Sequence, residues 1–349
     1  MPPDSFAEEL LHYQELTVEV LRGGIVESRH RVCAAVRFAS GKRGLTFGDP
    51  EAATFWRSAL KPFQALTIVT DGVDRAFGFG PEQLALICAS HGGTPVHLAR
   101  VEEILSAIGR DPEVLNCGPH PPYDRDAAEQ LRCTGGRPSR LHNNCSGKHA
   151  SMIALALHHG WDIEGYWRYE HPVQARLRQL LAEWIDEDPE ELDWATDGCG
   201  VPTPRGRLAS MAMAYARLVY RATTSGTPAA TVVETMTRYP DLTSSRGREP
   251  LQFMRMTSGR LLAKEGAEGL LCIAGTDGGW GMALKVEDGT RRAVAPAAVE
   301  ILTTAGLLSQ AEQETLRQLS AIPILSTRGE SVGEIRVRPV RESDHVGGA

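Results

Sequence analysis

Lysine is scarce in this chain. The 37 basic residues include only five lysines, at 42, 61, 148, 264 and 285, and the rest are arginine. Apolar runs are short, and none approaches the roughly 20 residues that a membrane-spanning helix needs. Positive charge is not in excess: 44 acids leave a net charge of −7, which speaks against a nucleic-acid binder with its basic footprint. Met1 to Glu15 carries Asp4, Glu8 and Glu9 and lacks the basic-then-apolar order of a signal peptide. The seven cysteines (33, 88, 117, 133, 145, 199, 272) are odd in number and widely scattered. That argues against a disulfide framework and for reduced thiols. A cytoplasmic protein without a membrane span is the expectation.

What is present is ordinary globular usage, 42 % hydrophobic and 23 % charged over 349 residues, enough to bury a large core. Glu183 to Asp193 holds seven acids and no base, read as a solvated helix end and loop. The few lysines merit inspection because lysine can lose its proton and arginine cannot.

Leu16–Arg22 and Cys33–Phe38 are β-rich and read as paired strands, joined by Gly23-Gly24 and a polar segment. Pro62–Thr70 is apolar nearly all round, which predicts a buried helix. Pro81–Ala89 predicts another, stopping at Ser90-His91-Gly92-Gly93. Thr94-Pro95 begins a third. Ala150–His159, Val173–Ile185 and Arg207–Ala222 continue the helical series. Leu270–Ala274, Trp280–Val286 and Glu334–Arg338 read as strands, the last stopped by Pro339. Ala295–Leu308 and Ala311–Leu319 are helical. Strands at both ends with helices between predict an α+β layout. It is one domain over 1–349, with a sheet part from about 14–60 and 255–342 and a helical part from about 61–254.

Phe55-Trp56-Arg57-Ser58-Ala59-Leu60-Lys61-Pro62 contains Ser-x-x-Lys. If Ser58 opens the buried helix, Ser58 and Lys61 share a face one turn apart. A serine hydroxyl is a weak nucleophile until a base takes its proton. A lysine serves if burial and nearby cations lower its pKa. The plain alternative is a helix-capping serine beside a snorkelling lysine. Two further segments support the chemical reading. Ser90 sits at a helix end beside glycines that admit close backbone approach, and Lys264 precedes a predicted strand in Lys264-Glu265-Gly266. The order is similar to that of serine hydrolases of the β-lactamase type, which use Ser-x-x-Lys, a second serine segment and Lys-Thr-Gly. Here the second segment lacks Asn and the third lacks Thr.

Asn143-Asn144-Cys145-Ser146-Gly147-Lys148-His149 and Asp197-Gly198-Cys199-Gly200 bring two thiols into polar, glycine-bearing loops. Two thiolates suit zinc, with nitrogen completing a tetrahedron. His149 is the usual type of nitrogen donor, and two unrelated buried thiols are the other reading.

Together these segments resemble the rhizobial-type L-asparaginase II family. The likeness runs from Arg22-Gly23-Gly24-Ile25-Val26-Glu27-Ser28-Arg29-His30 to Lys264-Glu265-Gly266-Ala267-Glu268-Gly269. Its most specific pieces are Arg57-Ser58-Ala59-Leu60-Lys61-Pro62, Cys88-Ala89-Ser90-His91-Gly92, Asn144 to His149 and Asp197 to Gly200. The resemblance implies a fold similar to serine β-lactamases and glutaminases, a homodimer, and two Ser–Lys pairs, Ser58 with Lys61 and Ser90 with Lys264. It also implies one zinc ion per chain, held by Cys145, Cys199 and, unusually, Lys148. Asp197 and His149 become candidates to contact substrate, and Arg57 a candidate for the substrate carboxylate. Val32 stands where the family pattern has glycine, a departure expected to touch only a local turn. The implied reaction converts L-asparagine and water to L-aspartate and ammonia through an acyl-enzyme. Alternatives are a glutaminase or other amino-acid amidase on the same scaffold, and a non-catalytic zinc- or amino-acid-binding protein.

Overall fold

The computed structural model describes residues 12–341. The opening segment read for a leader therefore lies, up to residue 11, outside the described residues, as does residue 342, the expected end of the sheet part. The chain forms two compact units. One takes the chain up to Ala59, Gly206–Tyr220 and the chain from Met256, and the other takes Leu60–Arg205 and Arg221–Arg255. The layout is α+β, with helices and an antiparallel sheet drawn from both ends of the chain.

The first unit is built on eight strands: β1 (His12–Arg22), β2 (Ile25–Phe38), β3 (Arg43–Phe47), β4 (Leu261–Glu265), β5 (Leu270–Gly275), β6 (Trp280–Val286), β7 (Ile322–Leu325) and β8 (Ser331–Arg341). Their order is β7-β8-β1-β3-β2-β6-β5-β4, and β1 also pairs with β2. Apart from a short parallel contact between β1 and β3, the pairings are antiparallel. Every residue of β4 and β5 is buried; this explains the continuous apolar sequence of β5 without polar alternation, whereas β4 carries the charged pair Lys264 and Glu265 into the same buried layer. The polar run 27–31, expected as a linker, belongs to β2: Glu27, Arg29 and Arg31 alternate outward while the strand pairs with β1. Val32 sits inside the same strand, opposite Leu16 and Val286, so it marks no turn.

Pro339 does not end β8. The strand continues to Arg341 with Pro339 opposite Leu16. Beyond Ile335 its other side carries no pairing with β7, and an edge position tolerates a residue without N–H. Helix Leu208–Arg221, expected in the helical part, belongs up to Tyr220 with the sheet. Gly281 on β6 is the reason it fits: a Cβ there would lie 2.2 Å from the Ala212 carbonyl oxygen.

In the second unit α1 (Lys61–Thr70) is buried from Lys61 to Val69, as its all-round apolar sequence requires. Near it in sequence follows α2 (Pro81–Ile87), whose end leads into Ser90. The helix beginning α3 (Ser146–His158) starts four residues earlier than expected and is buried through Ala156. Gly147 permits this, because a Cβ would meet the Leu86 carbonyl oxygen at 2.8 Å. The close approach draws the Cys145–Lys148 segment against the end of α2. The acidic run 183–193 follows helix Pro172–Ala182, and its acids are exposed or half-exposed.

Candidate active site

Ser58 lies in the 3₁₀ turn Arg57–Leu60 that runs into α1, so it precedes the helix, and Lys61 opens it. Tyr215 pins this turn by donating from Oη to the Ala59 carbonyl at 2.8 Å. Arg57 has φ +48°, a left-handed backbone rare for a side-chain-bearing residue. Such strain clusters at functional sites because surrounding structure must hold it. Ser58 and Arg57 are half-buried.

Lys61 is 1 % exposed and Ser90 3 %. The Lys61 Nζ donates to the Ala89 carbonyl at 2.5 Å and to Ser90 Oγ at 3.1 Å. A direct amine–hydroxyl contact therefore joins the start of α1 to the segment after α2. The spacing in the sequence suggested Lys61 with Ser58, and nothing local tied Lys61 to Ser90. Backbone bonds hold the Ser90 segment: Ser90 N–H to the Thr243 carbonyl at 3.1 Å and His91 N–H to the Asn144 carbonyl at 3.3 Å.

His91 shows how tightly this segment is specified. Its Nδ1 accepts from the Gly93 N–H at 3.1 Å, so Nε2 carries the proton and donates to Ser146 Oγ at 2.8 Å. Ser146 in turn donates to the Leu141 carbonyl. Burial, then the charges of His97 and Lys61, holds the His91 pKa well below the usual value. The ring is a neutral strut between the Ser90 and Cys145 segments.

Lys264 stands on β4, fully buried, with its amine 2.9 Å from Glu265 Oε1. Across the ladder it faces Cys272.

Cys145, Lys148 and Cys199 come together in the second unit. Lys148 Nζ donates to Cys199 Sγ at 3.0 Å, and both residues are buried. Hydrogen bonding from Cys145 and the Lys148 charge, against the effect of burial, hold Cys199 well below the ordinary thiol range. Its partner Cys145 is pushed up by sharing that hydrogen bond and by burial. Burial would lower the Lys148 amine, but the two sulfurs and Asp197 outweigh it and raise it. Asn143 braces the segment, accepting from the Cys145 N–H and donating to the Cys117 and Gly118 carbonyls. Cys117 is pushed up to about 12 by burial and by the neighbouring sulfurs of Cys145 and Cys199. Asp197 closes the loop before Cys199, its Oδ1 taking the Gly198 N–H and its carbonyl the Gly200 N–H. Among the described residues no group of three His, Cys, Asp or Glu side chains is placed to hold a metal. The donor set here is two sulfurs and one amine. It fits a soft divalent cation, whose charge would replace the proton that the Lys148 amine must give up to become a ligand beside the two sulfurs.

His149 is fully buried on α3. Burial, then the Lys148 charge, lowers its pKa to about 3.

Sequence reasoning did not single out Tyr215 or Ser146. Each is an ordinary residue type within an ordinary element, and only its long-range partner makes it notable. Glu265 stands in the quoted motif beside Lys264, and its ion pair is with that sequence neighbour.

The family model for L-asparaginase II matches residues 18–337. The chain belongs to that family. Membership makes it an amidohydrolase of the asparaginase type, and the Lys61–Ser90 contact lies within the matched span. A comparison with curated proteins finds no match. Among solved structures, the chain is similar to a presumed beta-lactamase from Bacteroides dorei DSM 17855, with 14 % identity over 83 % of this chain and 94 % of that one, and a TM-score of 0.38. No helix among the described residues is long and apolar enough to cross a membrane.

Proposed function

We propose that the protein hydrolyses the side-chain amide of L-asparagine to L-aspartate and ammonia through a serine acyl-enzyme. The observation that carries this reading is the buried Lys61–Ser90 contact at 3.1 Å, inside a chain of the L-asparaginase II family. Ser58, on the turn leading into Lys61, is the proposed attacking hydroxyl, and Lys61 its base; the Ser-x-x-Lys spacing supports that assignment. The attack forms the ester bond to the side-chain carbonyl carbon and leaves the proton on Lys61. Ser90, bonded to Lys61, returns that proton to the amide nitrogen as the carbon–nitrogen bond breaks and ammonia leaves. Water then cleaves the ester, releasing aspartate. Lys264 is proposed as the family's second site lysine, a role supported by motif order, with Glu265 as its ion-pair partner. Asp197, His149 and Arg57 are the proposed substrate contacts.

Cys145, Lys148 and Cys199 are the proposed zinc ligands. When bound, zinc would hold both thiolates and order the loops around them. A homodimer is proposed from the family resemblance alone, and a cytoplasmic location from composition.

Ammonia release from asparagine and from glutamine, each with and without chelator, tests the reading. Turnover of asparagine is expected, with glutamine slower by about 10–200-fold, the worth of one methylene in a pocket. No ammonia from asparagine would overturn it, and glutamine as the better substrate would replace it with a glutaminase.

A further inference from the structure

His149 is buried, and its two ring nitrogens have different surroundings. Nδ1 lies 2.7 Å from Tyr166 Oη, and Tyr166 Oη accepts from the Asn116 N–H at 2.8 Å. Tyr166 is 1 % exposed, so its hydroxyl has no ready outlet to bulk water. If His149 Nδ1 carried the proton, Tyr166 Oη would accept twice and its own hydrogen would have no acceptor. The satisfied arrangement is a one-way chain: Asn116 N–H to Tyr166 Oη, then Tyr166 O–H to His149 Nδ1. The ring proton then sits on Nε2. That nitrogen is buried with no hydrogen-bond partner among the described residues. A buried N–H left without an acceptor is costly and calls for an explanation. The charges of Lys148, Cys145, Lys61 and Asp197 all act on His149.

We infer that Tyr166 is a positioning residue that holds His149 in its Nε2–H form, and that this N–H donates to an acceptor oxygen of the bound amide substrate. The inference rests on the proposed amidohydrolase reading for the substrate's identity. The tautomer itself rests only on the hydrogen bonds. A histidine fixed this way is a one-directional donor, matched to a carboxylate or carbonyl oxygen and unable to accept from an ammonium group. Tyr166 does not touch the substrate in this account.

The test uses the as-purified protein labelled with nitrogen-15 in its histidines, with the His149 signals assigned by their loss in His149→Gln. The ring proton of His149 is expected on Nε2 in the unaltered protein. In Tyr166→Phe, which keeps the ring and removes the hydroxyl, part of the proton population is expected to move to Nδ1. In the same variant KM for asparagine is expected to rise about ten-fold, with kcat within about two-fold. Zinc content should not change. His149→Gln, which retains an N–H donor, is expected to keep more activity than His149→Leu. A proton on Nδ1 in the unaltered protein would overturn the inference. So would Tyr166→Phe with an unaltered KM, which would reduce Tyr166 to packing. An unaltered protein that releases no ammonia from asparagine would instead overturn the functional reading and the substrate named here, while the ring spectrum would still decide the tautomer.

Discussion

The Lys61 amine and the Ser90 hydroxyl are 29 residues apart in the chain and 3.1 Å apart in space. Lys61 also donates to the Ala89 carbonyl, so the amine is held at one end by backbone and presented to the serine by the other. This geometry predicts that charge alone will not substitute for it. Lys61→Arg is expected to lower kcat about 10²–10⁴-fold, because guanidinium does not surrender its proton near neutral pH. Stopped or continuous ammonia assays read this directly, and a rate near that of the unaltered protein would refute a base role. Ser58→Ala and Ser90→Ala are each expected to lose at least about 10²-fold. The serine that carries the acyl group is identified by mass analysis of trapped intermediate.

Elemental analysis of protein purified without added metal is expected to give zinc near one per chain. Cys145→Ser/Cys199→Ser is expected to lose it, because both sulfurs sit with Lys148 in one buried cluster. Retention of zinc by the double variant would remove these residues as ligands.

Gly281→Ala places a methyl group 2.2 Å from the Ala212 carbonyl oxygen. The helix must move off the sheet, and a loss of about 1–3 kcal/mol is expected. Urea unfolding monitored by tryptophan fluorescence measures it, and an unchanged midpoint would show that the helix shifts freely.

Asp71 is gripped by Arg176 and by His159. Burial alone would raise its pKa, but the hydrogen bonds from Arg176 and His159 hold it below its usual 3.8. A carboxylate depressed on folding stabilises above its unfolded pKa, and that contribution is lost as pH falls through the folded value. Unfolding midpoints measured downward from pH 5 are therefore expected to fall less in Asp71→Asn than in the unaltered protein. Parallel pH curves for the two proteins would show that this ion pair contributes nothing.

Much of this molecule is written locally. The all-round apolar stretch after Lys61 needs burial on every side, so it became α1 without reference to its neighbours. The strands at both ends and the helical centre follow from periodicity in the same way. The motif residues Ser58, Lys61, Ser90, Cys145, Lys148, Cys199 and Lys264 were legible because their types carry reactive groups and their spacing matches a family pattern. Local pattern failed where pairing decides. Pro339 reads as a stop, yet the strand passes through it because, among the described residues, one side there carries no ladder. The polar run after Gly24 reads as a linker, yet cross-strand bonds make it β2.

What the order of residues supplied by itself is the inventory of candidates: two serines, three lysines and two thiols in a chain of amidohydrolase type. Tertiary structure decided the partnerships. Lys61 bonds to Ser90, Lys148 to Cys199 and Tyr166 to His149 through contacts between separate segments of the chain. Hydrogen bonds of about 3 Å depend on how helices and loops pack, and packing is a property of the whole fold that no local spacing encodes.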